Sequence, residues 1–257
     1  MKKTSLHKKY WFFFAGCLFL LNFVFISCGL DVFEVIPSPT SVIHQPDYNT
    51  EDSVEKYFNF WTKEDFDLSN YYFLGTEIYY KIYNNVNTMS SERSTLESLA
   101  SSTTSANSAD RMIASYKYQP LLFTGKEAVS IPSAGTNKEV YIRLSNYQDS
   151  QAFSARVCIG GKDVLPGDPG FLGVPLRTTE GGSHRTFDFG RTGDENAVPA
   201  EGDIDVNYSS TSTDEDKKKW YVQLFAVGVA RDNSFSLNYS NVLYLGAVTI
   251  DSSSIDN

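Results

Sequence analysis

Cysteine, histidine and methionine are scarce, with three of each in 257 residues. Cys17 and Cys28 both fall within the first 28 residues, which leaves Cys158 alone in the body of the chain. A disulfide-stapled scaffold and a cysteine-rich zinc site are therefore excluded. His7 sits in the basic N-terminal head, His44 follows two prolines and His184 ends a Gly-Gly-Ser-His loop, so no spacing suggests a histidine-based triad or metal site. There is no Gly-x-Ser-x-Gly, no Cys-x-x-Cys, no His-Glu-x-x-His and no phosphate loop ending in Gly-Lys-Ser/Thr. Positive charge is also short: 22 Lys and Arg against 31 Asp and Glu give a net charge of -9. Such a chain is a poor partner for nucleic acid, where phosphate contacts depend on Lys and Arg.

What is present begins at the N-terminus. Lys2, Lys3, Lys8 and Lys9 precede an apolar run from Tyr10 to Ile26 that only Gly16 and Asn22 interrupt. A basic head before an apolar core is the layout of a secretory signal. The run closes in Phe25-Ile26-Ser27-Cys28-Gly29. That ending resembles a lipobox, the site where signal peptidase II cuts before a diacylglyceryl cysteine. Ser27 and Gly29 fit it, while Phe25 and Ile26 depart from the strict pattern in the way of spirochaete lipoproteins. Phe14-Ala15-Gly16-Cys17 is a second local match, but it has too short an apolar core before it. Cys28 is the expected lipidation site, with residues 1–27 removed as a signal peptide. An uncleaved membrane anchor and ordinary signal cleavage stay open as alternatives. Two or three acyl chains, at about 0.8 kcal/mol per buried CH₂, would hold the protein on a membrane stably. Loss of the four lysines moves the formal charge of the remainder from -9 to -13. The lipid, rather than a basic surface, is then the expected membrane attachment.

Along the mature chain, aromatic and β-branched residues gather in short alternating stretches, as strands prefer. Residues 28–53 read as a tether, with Pro37, Pro39 and Pro46, leading into an edge strand at Ser41–His44. In Val54–Thr62, Phe58 and Phe60 share a face. In Tyr71–Tyr83, Thr76, Ile78, Tyr80 and Ile82 line one face, and Glu77, Tyr79, Lys81 and Tyr83 the other. Leu96 and Leu99 suggest a helix over 92–100, and Met112, Ile113 and Tyr116 a second over 110–116. Strands are predicted at 139–145 and 153–159 as a hairpin, and at 220–230 and 237–250. Residues 160–202 are rich in Gly and Pro and read as loops with a short strand at 185–189. Asp203–Tyr208 alternates acids with Ile204, Val206 and Tyr208, which predicts an edge strand whose acids face solvent.

Gly75-Thr76-Glu77-Ile78-Tyr79-Tyr80-Lys81 and Trp220-x-Val222-x-Leu224-x-Ala226-Val227 resemble two strands of the fibronectin type III family. Tyr239-Ser240-Asn241-Val242 is similar to its closing segment without the proline. Pro37-Ser38-Pro39 and Trp61 stand where its opening proline and core tryptophan would fall. With the relaxed lipobox, these strands look like those of spirochaete lipoproteins, treponemal ones in particular. The resemblance implies an antiparallel β-sandwich over 54–250, with core blocks 54–85 and 219–250 and a long insertion, 86–218, of short helices and loops. A disordered tail at 251–257 completes the expected layout.

No catalytic residue, metal or cofactor is expected. Asp203-x-Asp205-x-Asn207 with Asp214 mimics part of a calcium loop, but Tyr208 takes the place of its turn glycine, and the strand reading explains the acids better. A loop calcium at Asp194, Glu195 or Asp203 is a further option. Tyr79, Tyr83 and Tyr71 are the candidate ligand-binding face, since tyrosine offers contact area with a polar tip. The competing reading packs them under the helices. Cys158, opposite Val157 and Ile159 in its strand, reads as structural. The chain is expected to be an exported lipoprotein of the cell envelope, periplasmic-facing or surface-exposed. Its expected role is that of a non-enzymatic interaction or structural module touching a membrane and a protein or carbohydrate partner. A small-ligand or carbohydrate-binding lipoprotein is the alternative, and a hydrolase with scattered carboxylates ranks third.

Overall fold

The computed structural model describes residues 35–101, 107–126, 128–147, 153–189, 198–212 and 219–251. The signal segment, Cys28, Asp194, Glu195 and Asp214 lie outside them. The N-terminal half supplies β1 (Ser41–His44), β2 (Phe58–Trp61), β3 (Tyr71–Tyr83), helix α1 (Val86–Ala100), β4 (Gln119–Pro120), β5 (Leu122–Phe123) and β6 (Ile131–Pro132). There follow β7 (Glu139–Arg143), β8 (Arg156–Ile159), β9 (Phe171–Gly173), β10 (Pro175–Thr178), β11 (His184–Arg185) and β12 (Val206–Asn207). The chain closes with β13 (Lys219–Asp232), β14 (Leu237–Tyr239) and β15 (Leu243–Asp251).

The strands build a mainly β, antiparallel sandwich. One sheet has the order β1-β2-β7-β8-β9, and the other is centred on β3 and β13, with β14 and β15 on the far side of β13. The long pair runs from Tyr221 opposite Tyr83 to Asp232 opposite Tyr71. A core of Phe58, Phe60, Val140, Ile142 and Val157 from the first sheet meets Ile78, Tyr80, Ile82, Val222 and Leu224 from the second. Each such side chain taken fully from water is worth roughly 1.5–3 kcal/mol. Residues 86–218 belong to this sandwich, because they supply β7, β8 and β9. Trp61 is 37% exposed on the outer face of the first sheet, so it does not fill the core position the fibronectin-like pattern gave it. Phe58 and Phe60, on the opposite face of the same short strand, take that role.

The other face of the β3–β13 sheet is covered as well. Tyr79, Tyr83, Tyr221 and Phe225 pack against Met89 and Leu96 of α1 and Met112 of the short helical segment 108–115. With both faces buried, β3 and β13 are buried along most of their length. The helix starts at Val86, six residues before the expected start at Glu92, because Asn85 caps it by accepting from Thr88 N at 3.1 Å. An Arg93–Glu97 pair one turn apart supports its outer face.

The free edge of β3 is tiled by three short strands: β6 at Gly75 and Thr76, β4 at Tyr79 and Tyr80, and β12, in parallel, at Ile82 and Tyr83. Short cover of this kind keeps a long edge from pairing with other chains. It depends on Gly75. This residue has φ +138°, and a Cβ there would stand 2.1 Å from the Ile131 carbonyl oxygen.

Candidate functional site

The expected solvent face of Asp203–Tyr208 is turned inward, and that expectation is corrected. Asp205 is fully buried, whereas Ile204 is 47% exposed and Tyr208 lies at the surface. The cause is Arg177 of β10, also fully buried. Its Nε and Nη2 donate to the two oxygens of Asp205 at 3.0 and 2.7 Å, and Nη2 also donates to Asp203 at 2.5 Å. Tyr80 donates its hydroxyl to Asp205 at 2.8 Å and accepts from Thr178 N at 2.7 Å. Burial pushes the Asp205 carboxyl up, while the bonds from Arg177 and Tyr80 pull it back. Asn207 turns elsewhere and donates to Glu92 at 3.0 Å. A guanidinium thus faces the two acids of the calcium-like pattern. Among the described residues, no group of three or more His, Cys, Asp and Glu is placed to hold a metal ion.

Tyr79 and Tyr83 share one buried face, and Tyr71 stands apart from them. Tyr83 is fully buried and Tyr79 is 7% exposed, both beneath the helical layer, and Tyr71 is half-buried at the start of β3. Tyr83 donates to Glu92 at 2.7 Å and meets the Tyr118 hydroxyl at 2.8 Å. Lys81 reaches Glu92 at 3.1 Å and the Tyr116 carbonyl at 2.5 Å, with its ammonium 5.3 Å from the Tyr83 ring and 5.5 Å from that of Tyr118. Burial lowers the Lys81 ammonium, and Glu92 offsets part of that. This network fastens α1 to the sheet.

An opening lies on the opposite side of the sandwich, on the outer face of the β1-β2-β7-β8 sheet. There a cleft of about 380 Å³ is lined by Tyr57, Tyr141, Phe153, Arg143 and Arg156, with Val54, Glu55 and residues 162, 163 and 165 at its rim. Strand alternation places them. Val140 and Ile142 point into the core, so Tyr141 and Arg143 point out, and Arg156 lies opposite Arg143 in the register. Rings and a cation stack across the strands: His44 on Tyr57 at 3.8 Å, Tyr57 on Tyr141 at 5.1 Å, and the Arg156 guanidinium 4.7 Å from Tyr141. Arg143 is 3% exposed and donates to Tyr141 Oη at 3.0 Å, Ser53 O at 2.7 Å and Val54 O at 3.0 Å. Arg156 donates to Ser154 O at 3.0 Å and Lys162 O at 2.9 Å, which ties the 160s loop over the sheet.

Cys158 lies next along β8 on the same outer face. It is fully buried, with Sγ 3.5 Å from Val164 O, and burial pushes its thiol up to about 11. That placement fits the structural role expected of it and leaves little thiolate at neutral pH. His44 serves as the outermost ring of the stack, and His184 is exposed in β11.

Sequence reasoning missed the cleft. Its signal was the outward row of β7 and β8, which carries Tyr141, Arg143 and Arg156. Comparison with protein-family models, with curated proteins and with solved structures finds no match to this chain.

Proposed function

We propose that this chain is a non-enzymatic binding protein of the cell envelope, exported, held to a membrane through lipid on Cys28, and presenting the outer-face cleft to a small ligand. The observation that carries the ligand-binding part is the cleft itself. It is concave, ringed by Tyr57, Tyr141 and Phe153, and provided with a few polar groups, which is the general make-up of small-molecule sites. Its arginines hold backbone carbonyls, and the neighbouring Cys158 thiol is inert, so the groups in place suit recognition rather than bond-making. The basic head, apolar run and Ser27-Cys28-Gly29 ending support the anchored part. Confinement to a membrane raises effective concentration, so modest affinity suffices.

Two measurements test this. Replacing Cys28 with Ser should abolish incorporation of labelled palmitate, and persistent labelling would overturn the anchor. A fragment screen by thermal shift should return ligands whose stabilisation disappears in Tyr57→Ala. A screen with no hits, or hits indifferent to Tyr57, would remove the cleft.

A contact with a larger partner is the second reading. Arg231 lies between Tyr72 and Leu237 in the sheet register, and these residues are 72% and 50% exposed, with Phe235 at the adjacent turn 79% exposed. Protease added to intact cells separates the settings. Degradation would favour contacts outside the cell, and protection would favour partners beneath the outer membrane.

A further inference from the structure

We infer that the cleft selects small organic carboxylates, with the anionic group seated on Arg143 and a compact apolar body lying against Phe153 and Leu165. The inference rests on the cleft being a binding site and adds the chemistry of what it takes.

Arg143 carries the argument. Its side chain is nearly removed from solvent, yet among the described residues it has no carboxylate partner. Three of its five N–H donors are committed: Nε to the Tyr141 hydroxyl, one on Nη1 to Ser53 O and one on Nη2 to Val54 O. One N–H on each terminal nitrogen is left over. The rings of Phe153, Tyr57 and Tyr147 lie 5.3, 5.8 and 5.8 Å from the guanidinium carbon. Aromatic faces and carbonyl dipoles offset part of a buried positive charge, but they do not neutralise it. A buried cation with two spare N–H groups suits a carboxylate, whose oxygens accept charge-assisted bonds.

The surrounding charge points the same way. Arg143, Arg156 and Lys162 outnumber Glu55 and Asp163 around the cleft, although the whole chain is at -9. A local excess of positive charge in an acidic protein attracts a small anion there. Phe153, Leu165 and Val54 provide the apolar wall. The faces of Tyr57 and Tyr141 are already covered by His44, by each other and by Arg156, so the ligand's body must lie against that wall instead of stacking within the ladder.

The test uses the purified full-length chain and four probes: phenylacetate and its neutral isostere phenylacetamide, and glucuronate and glucose for a sugar-bodied source. Saturation-transfer NMR and calorimetry should show phenylacetate binding at least tenfold more tightly than phenylacetamide. Glucuronate binding more tightly than phenylacetate would keep the carboxylate and overturn the apolar body. Arg143→Gln should abolish the preference for the acid. Because that variant risks misfolding, Arg143→Lys (charge kept, fork lost) and the exposed Lys162→Gln are measured alongside, with losses of about tenfold and a few-fold expected. If phenylacetamide binds as well as phenylacetate and both depend on Tyr57, the cleft stands and the carboxylate inference falls. If no probe binds, both fall.

Discussion

Arg177 grips Asp205 through two nitrogens, Nε at 3.0 Å and Nη2 at 2.7 Å, with both side chains wholly inside the protein. The pair joins β10 to the turn before β12 and so locks the tiling of β3. Arg177→Met should cost about 3–5 kcal/mol, because it strands a buried carboxylate. The loss should depend on pH in a set direction. Burial already holds the folded pKa of Asp205 above its unfolded value, and removing Arg177 raises it further. The variant's stability should therefore recover as pH falls through that raised pKa towards 4. Urea melts at pH 7.5 and pH 5 check this, and a deficit equal at both pH values would refute it.

Glu92→Gln should show the opposite slope. Lys81 and Glu92 are 9% and 12% exposed, so the loss of the carboxylate leaves a buried ammonium and should cost about 3 kcal/mol. The folded pKa of Lys81, already lowered by burial, would drop further. Stability should then rise as pH climbs above that value towards 10, where the lysine enters the core neutral. Denaturant midpoints at pH 7 and pH 9.5 measure it.

Cys158 should resist an aromatic disulfide reagent at pH 8 in the folded protein and react fully in denaturant. Its thiol is fully buried and pushed up to about 11, so both access and thiolate are denied. Rapid labelling of the native chain would show that the 160s loop lifts from the sheet.

Phe235→Asn should stabilise the chain slightly, by about 0.5–1 kcal/mol. The residue has φ +67° and is 79% exposed, so it carries the left-handed penalty while burying little in return. Asn adopts that conformation more readily, and a rise of a few degrees in Tm is the expected reading. A fall in Tm would mean the ring has a packing role.

The sheet architecture could be read in the sequence wherever alternation was strong. Ile78, Tyr80 and Ile82 separate from Tyr79, Lys81 and Tyr83 because residue parity alone decides the face. The reading that packs that second face under the helices is borne out, but the extent of the cover was not legible, since the helix has a Ser/Thr-rich sequence with a weak apolar stripe and a start set by Asn85. Asp205 was misread for a related reason. Its alternation with Ile204 and Val206 resembles an edge strand, and its partner Arg177 stands 28 positions away across Gly/Pro-rich loops. The cleft was hidden because outward-pointing Tyr and Arg look like solvent-facing residues until the 160s loop and the segment around Ser53 are seen to wall them in.

The central pairing of β3 with β13 sets Tyr83 beside Gln223, 140 positions later in the chain. At ribosomal speeds of roughly 5–20 residues per second, β3 emerges about ten seconds before its partner exists. During that interval an aromatic-rich strand has only the short strands β4 and β6 to pair with and lacks its long partner. The two central strands cannot meet until β13 has been made, so the fold closes late, after the long stretch between them has already left the ribosome.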